Sequence, residues 1–190
     1  MTVALASPST SGWMQAILWG IPIAMAAMAF VPDPPEAPTV PHWGLLVVAA
    51  LIAALFQLAP HRLRYRLTPT GLEINRLLGT TLLPYAGMQA RETAGSLGVR
   101  TFGTGLPGYL TGAFSFGSDG VRSVTALASV MSGGVLLGVP VNHEAPARPS
   151  FILPSRPTSV AEPFQWYFLT PADPQQFLDE LARRGAVVAQ

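Results

Sequence analysis

Histidines are the side chains in this 190-residue chain best suited to metal binding or general acid–base chemistry. The three are His42, His61 and His143, and no two have the i, i+4 spacing that places two ligands on one helix face. The chain contains no cysteine, which excludes a disulfide framework, a thiolate nucleophile and a cysteine-based metal site. A hydrolase using His61 or His143 would need a carboxylate or a serine beside either ring in space.

The remaining polar groups show no catalytic spacing. Asp179 and Glu180 are adjacent on a predicted helix and so point to different sides. The chain has neither a G-x-S-x-G elbow nor an S-x-x-K motif for a serine nucleophile. A glycine stretch has the composition of a phosphate loop but lacks the G-K-[ST] ending, and its glycines are Gly103, Gly105, Gly108 and Gly112. The sequence therefore predicts no enzyme, no cofactor and no metal.

The composition of the chain indicates a membrane protein. Charged residues make up 11% and hydrophobic residues 49%, against the roughly 25% charge of soluble domains. The net charge of +1 excludes a nucleic-acid partner, because phosphate binding needs a clustered excess of basic residues. We therefore expect the lipid bilayer to be the first partner.

Two uncharged runs predict a transmembrane hairpin. Residues 13–31 and 43–59 have the length of about 17 to 20 residues that crosses the hydrocarbon layer as a helix. Trp13 opens the first run and Trp43 the second, so the two tryptophans are predicted to anchor opposite membrane faces. Two buried helices of a soluble core are the alternative, but the rest of the chain is too small to cover them.

Basic residues predict the orientation of this hairpin. The connection between the runs carries Asp33 and Glu36 but no basic residue, whereas three arginines crowd after the second run: Arg62, Arg64 and Arg66. These arginines should face the cytoplasm and anionic headgroups, with Tyr65 between them at headgroup depth. The first residues lack a basic n-region and a small-residue cleavage site, so we expect an uncleaved, multi-pass protein with both termini in the cytoplasm.

After the hairpin the pattern changes to strands. RLRYRLT and LEINRL alternate in hydrophobicity, TLLPYA follows a Gly79 turn, and β-branched or apolar runs recur up to QWYFLT. Asp173, Pro174 and Gln176 then form a helix start, and Gly185 ends that helix. The predicted organisation is a tail at 1–12, a transmembrane hairpin at 13–60 and a mainly β domain at 61–190, with a proline-rich loop at about 139–163.

Several of these segments resemble the bacterial PH-like domains that follow a pair of membrane spans. The similar segments are YRLTPTGLEI, LLPYAGM, RTFGTGLPGYLTGAF and YFLTPADPQQFLDEL. The resemblance implies a PH-like fold, a bent antiparallel sheet or partly open barrel capped by a C-terminal α-helix, in the inner membrane of a bacterium. The long proline-rich segment before QWYFLT departs from the compact turn of that family.

Two functions from different classes remain open at this point. The first is a non-enzymatic interaction or scaffold module that presents its surface or sheet edge to a protein partner or to its own copies. The second is a lipid or small-ligand sensor at the inner membrane surface. The candidate ligand or partner surface consists of four aromatic residues, Phe102, Tyr109, Phe114 and Phe116.

Overall fold

Two helices follow the short N-terminal segment of the structure. The computed structural model describes residues 1–7, 12–31, 42–141 and 163–189, so most of the predicted proline-rich loop lies outside the described residues. The helices α1 (Gly12–Met28) and α2 (His42–Arg62) contact each other. Their covered positions recur at helical spacing and define the facing sides: Leu18, Pro22 and Met25 on α1, and Leu45, Ala49, Ile52 and Phe56 on α2.

A four-stranded antiparallel sheet follows directly from α2. Its order is β1-β2-β3-β4, and its strands are β1 (Thr2–Val3), β2 (Arg64–Leu67), β3 (Gly71–Arg76) and β4 (Gly79–Pro84). In β2 the side chains alternate between exposed and buried, as the period of a half-buried strand requires. The three strands predicted from alternation are confirmed, and the N-terminal strand β1 was not predicted.

A second sheet closes on itself. Its strands are β5 (Gln89–Leu106), β6 (Tyr109–Phe116), β7 (Ser123–Ala128), β8 (Ser132–Pro140), β9 (Phe164–Leu169) and β10 (Val187–Ala189). The long strand β5 pairs with β8 through its first half and with β6 through its second half. Because β6, β7, β9 and β8 are paired in that order, the ring is complete. Register shifts along β5 bend it between the two partners.

Two pairings correct the predicted antiparallel sheet. Strand β9 is parallel to β7, and β10 is parallel to β5. The first follows from topology: β9 is antiparallel to β8 and lies between β8 and β7, which run in opposite directions, so it must be parallel to one of them. The mainly β fold with a C-terminal helix is thus confirmed, while its uniform antiparallel pairing is wrong.

The predicted C-terminal helix is present as α3 (Pro174–Arg183). The carboxylate of Asp173 accepts a hydrogen bond from the backbone N–H of Gln176 at 2.9 Å, which is the N-cap interaction the sequence predicted. The helix buries Phe177, Leu178 and Leu181 against the main core cluster, which also contains side chains from both sheets. After Gly185 the chain continues into β10, which sequence reasoning missed.

Candidate functional site

Helix α2 carries the strongest membrane signal. Within the described ranges, one helical segment, the 20-residue Trp43–Arg62, is long and apolar enough to cross a bilayer, and at 1.5 Å per residue it spans about 30 Å. Trp43 and Leu51 are 69% and 64% exposed on it. The apolar part of α1, Leu18–Met28, is shorter, so the predicted two-span hairpin is not confirmed. The side chain of Trp13 lies outside what the structure describes.

The three predicted topology arginines lie at the junction of α2 with β2. Arg62, Arg64 and Arg66 are all exposed. The Nε of Arg64 donates to the backbone carbonyl of His61 at 3.4 Å, which places a cation at the negative end of the helix dipole. Arg66 lies opposite Glu73 in the sheet register, so a carboxylate is its cross-strand neighbour. Arg62 and Arg64 are therefore the cations nearest to the helix end.

Tyr65 is not at headgroup depth, and the prediction that placed it there is wrong. Its side chain is fully buried, since β2 turns alternate residues inward. The phenol donates a hydrogen bond to the carbonyl of Leu127 and accepts one from the N–H of Thr170 at 3.2 Å. Burial raises the pKa of this phenol far above its ordinary value. Tyr65 is a core residue that connects the two sheets.

The segment before α1 is built into the β domain. Thr2 and Val3 pair with Arg66 and Tyr65 of β2, and the Met1 nitrogen donates to the Leu67 carbonyl at 3.0 Å. Further along, the N–H of Ala6 donates to the Thr170 carbonyl at 3.0 Å, and the N–H of Ala172 donates to the Ala4 carbonyl at 2.9 Å. The residues before α1 and the residues after α2 therefore belong to one hydrogen-bonded sheet.

A buried polar network holds the end of this N-terminal segment. The Ser129 hydroxyl donates to the carbonyl of Ala6 at 2.6 Å and lies 3.0 Å from the Thr170 hydroxyl. The N–H of Ser129 donates to that same hydroxyl at 2.8 Å. Buried polar groups of this kind are stabilising only while each keeps its partner. The attachment of the segment is thus specific, although no local sequence signal predicts it.

The four aromatic residues proposed as a binding surface do not lie together on the surface. Tyr109 belongs to the main core cluster, and its phenol oxygen accepts a hydrogen bond from the N–H of Leu77 at 3.0 Å. Phe114 and Phe116 are buried in the second core cluster, where the ring of Phe116 lies 5.7 Å from that of Phe168. Only Phe102 is exposed among the four. A surface formed by all four is therefore excluded.

A cleft lies beside β10 and the start of α3. It has a volume of about 610 Å³ and is lined by Arg91, Glu92, Asp119, Gln175, Leu178, Asp179, Val188 and Ala189. The side chain of Gln175 donates to the Glu92 carboxylate, and the Arg91 guanidinium lies 5.2 Å from the centre of the Trp166 ring. Three carboxylates and one guanidinium give this cleft a negative lining.

Asp119 is the most constrained of these cleft residues. Its φ of 58° is in the left-handed region, which aspartate tolerates better than most residues. Hydrogen bonds from the hydroxyls of Thr93 and Ser118 hold the pKa of its carboxyl below the ordinary value, and Arg91 acts in the same direction. The lowered pKa extends the charged form of this carboxylate to more acidic pH. Among the described residues no three histidine or acidic side chains form a metal-binding group.

One sheet edge is open. In the four-stranded sheet β4 pairs with β3 alone, and it has no strand on its other side within the described residues. Its sequence GTTLLP carries no charge, and Leu82 is 54% exposed. Charged residues, prolines, bulges or a covering element normally protect such an edge. Of the charged residues and prolines, β4 has only Pro84 at its end, so the strand before that proline can accept another strand by backbone hydrogen bonding.

Comparison with protein-family models, with curated proteins and with solved structures finds no match to this chain.

Proposed function

We propose that this protein is a membrane-anchored, non-enzymatic PH-like interaction module, with α1 and α2 both crossing the bilayer. The observation that supports two crossings is the N-terminal strand β1. Since β1 precedes α1 and pairs with β2, which follows α2, residues at both ends of the helical pair lie on the same side of any bilayer. If α2 crosses, the chain must cross once more, and α1 is the apolar helix available for this. Its 17 residues equal the lower limit of about 17 for a spanning helix.

The arginines support the orientation of the proposed anchor. Arg62 is the last residue of α2 and Arg64 comes two residues later, whereas Asp33 and Glu36 between the two helices are the charged residues of that connection. The positive-inside rule then places the β domain and the N-terminal strand in the cytoplasm. The localisation that follows is the bacterial inner membrane, on the strength of the PH-like resemblance. The PH-like part of the proposal depends on that resemblance and on the presence of a mainly β domain with a C-terminal helix.

Single-cysteine labelling tests the proposed anchor, because the natural chain contains no cysteine. The variants are Ser7→Cys before α1, Glu36→Cys between the helices and Thr70→Cys in the β domain. A membrane-impermeant maleimide added to intact spheroplasts should label position 36 and leave positions 7 and 70 unlabelled until the membrane is permeabilised. Labelling of positions 7 and 36 alike, with 70 protected, would show a single crossing and overturn the proposal. Labelling of 7 and 70 without 36 would reverse the orientation.

The interaction proposed for the domain is strand addition at β4. The strand has six residues without a charged side chain, and the exposed Leu82 lies near its centre. An extended segment of a protein partner can add there by main-chain hydrogen bonds. Anchoring to the bilayer restricts the domain to partners that reach the membrane surface. The partner is thus a protein with an accessible extended segment near the membrane.

A photo-cross-linking residue at position 82, compared with one at position 99, tests this interaction in cells. Val99 is a matched control because it is also apolar and 75% exposed but lies on β5. We expect a discrete adduct from position 82 that is absent from position 99. An adduct of twice the chain mass would identify a second copy as the partner. Equal adducts at the two positions, or none at 82, would contradict strand addition at β4.

A small-ligand function is the second candidate, and the cleft beside α3 is the observation that favours it. Its volume of about 610 Å³ falls within the roughly 300–1,000 Å³ of ligand pockets. The lining carries three carboxylates against one arginine, so it favours a cationic or neutral polar ligand and disfavours an anionic lipid headgroup. Native mass spectrometry of the detergent-purified protein tests it. A bound small molecule that is lost in Asp119→Asn would support the sensor, and an unliganded spectrum would count against it.

A further inference from the structure

The turn between β3 and β4 lies at the end of the first sheet that adjoins α2. Only Leu63 separates the end of α2 at Arg62 from the start of β2 at Arg64. The sheet register places Asn75 opposite Arg64, and β3 continues past that point to Arg76. Strand β3 is also in contact with α2. At about 3.3 Å per strand residue, the turn therefore reaches back to the level of the last turn of α2.

This turn holds one apolar side chain outward. Leu78 is 87% exposed, the highest fraction among the large apolar side chains in the described part of the chain. Its neighbour Leu77 is partly buried, and the N–H of Leu77 donates to the Tyr109 phenol at 3.0 Å. That bond fixes the turn against the β5–β6 hairpin. Gly79, with a φ of 99°, then reverses the chain into β4. The position of Leu78 is thus set by the fold around it.

The charges around Leu78 are all of one sign. Arg62 and Arg64 lie exposed on the helix side of the turn, and Arg76 at its start is half-buried. The segment 74–91 contains no Asp or Glu, and the nearest acidic residue of β3, Glu73, lies opposite Arg66, further from α2. A single exposed leucine on a soluble surface needs no explanation. An exposed leucine within a group of arginines, next to the end of an apolar helix, matches the composition of a membrane-surface contact.

We propose that the β3–β4 turn is a second membrane contact, which inserts Leu78 into the boundary between headgroups and acyl chains. The exposed Arg62 and Arg64 bind the lipid phosphates around it. This proposal rests on the proposed function, because it takes the C-terminal end of α2 as the point where the chain leaves the bilayer. The contact would fix the tilt of the β domain and so determine which way the open β4 edge faces.

The test uses single cysteines labelled with the environment-sensitive fluorophore NBD, in the full chain reconstituted into nanodiscs of phosphatidylcholine and phosphatidylglycerol. The three variants are Leu78→Cys, Thr70→Cys and Leu51→Cys. Thr70 is the matched control, since it is exposed in the β2–β3 turn at the opposite end of the same sheet. Leu51 is exposed in the middle of α2 and reports whether that helix is in the bilayer.

We expect blue-shifted emission and protection from aqueous iodide at positions 51 and 78, with water-like emission and full quenching at position 70. An apolar signal at 51 with a water-like signal at 78 would overturn this inference and leave the proposed membrane anchor intact. A water-like signal at 51 would overturn the anchor and this inference together. Equal blue shifts at positions 70 and 78 would also refute the inference, because both ends of the sheet would then be in an apolar environment and the β3–β4 turn would not be the specific contact.

Discussion

Replacement of Tyr65 by phenylalanine is the sharpest test of how the N-terminal strand and the two sheets are connected. The phenol serves two buried backbone groups, the carbonyl of Leu127 and the N–H of Thr170. A buried polar group that loses its partner costs about 1–3 kcal/mol, so two such groups give an expected loss of about 2–6 kcal/mol. This is a large part of the roughly 5–15 kcal/mol of a typical folded domain.

Tyr85→Phe provides the matched control for this substitution. The Tyr85 phenol donates to the carbonyl of Thr68 at 3.0 Å, but that carbonyl also accepts from the Arg184 guanidinium at 3.3 Å. Because the carbonyl keeps a partner, the expected loss is at most about 1 kcal/mol.

Hydrogen exchange measured by mass spectrometry on the detergent-solubilised chain separates the two variants. Tyr65→Phe should accelerate exchange in β1, β7 and β9 together, since all three meet at the Tyr65 hydroxyl or next to its partners. Exchange in α2 should stay unchanged, because that helix is stabilised by its own backbone bonds. Equal effects of the Tyr65 and Tyr85 variants would refute the buried network around Tyr65.

Two further predictions concern a glycine pair and a surface carboxylate. Gly103→Ala should destabilise the domain by more than about 2 kcal/mol, because a Cβ would lie 2.1 Å from the Thr111 carbonyl oxygen at a φ of 104°. Gly117→Ala is the control and should be nearly neutral, since a Cβ there would have nothing within 4 Å. Equal changes of the melting temperature in thermal unfolding would contradict the close approach of the two strands at Gly103. The hydrogen bond from Arg184 holds the pKa of Glu180 below its ordinary 4.5. The stability that the Glu180 carboxylate contributes is therefore present above about pH 4.5 and is lost as the pH falls through the lower pKa of the folded state. The difference in melting temperature between wild type and Glu180→Gln should shrink in acid, and a difference independent of pH would contradict this.

Local patterns predicted the elements whose stability is local. The strands β2 to β4 follow from alternation and turn residues, and α3 follows from the Asp173 cap and its apolar stripe. The apolar runs of α1 and α2 likewise predict two helices from the sequence alone. In each case the chemical signal lies within a single segment of about six to twenty residues. Such signals were sufficient for the mainly β class with a C-terminal helix.

Pairings between distant segments were not predictable in the same way. Thr2 and Val3 carry no pattern that distinguishes a two-residue strand from a tail, because their partners are more than sixty residues away. The insertion of β9 between β7 and β8 likewise depends on tertiary packing. The prediction of a surface position for Phe114 and Phe116 is wrong, because a glycine-rich strand gives no indication of which face is covered. The candidate membrane contact at Leu78 required the sheet register before it could be recognised.

The N-terminal strand changes what the proposed helical anchor does mechanically. A domain that follows a membrane helix is normally attached through one flexible connection, so it can rotate about that point. Here α1 and α2 both lead into the same sheet, one through β1 and the other through the single residue Leu63. Two attachments restrict rotation, and the contact proposed for Leu78 would add a third point on the same side. Three points define a plane, so the open β4 edge would hold one orientation relative to the bilayer. A partner strand would then need to approach from one direction along the membrane surface.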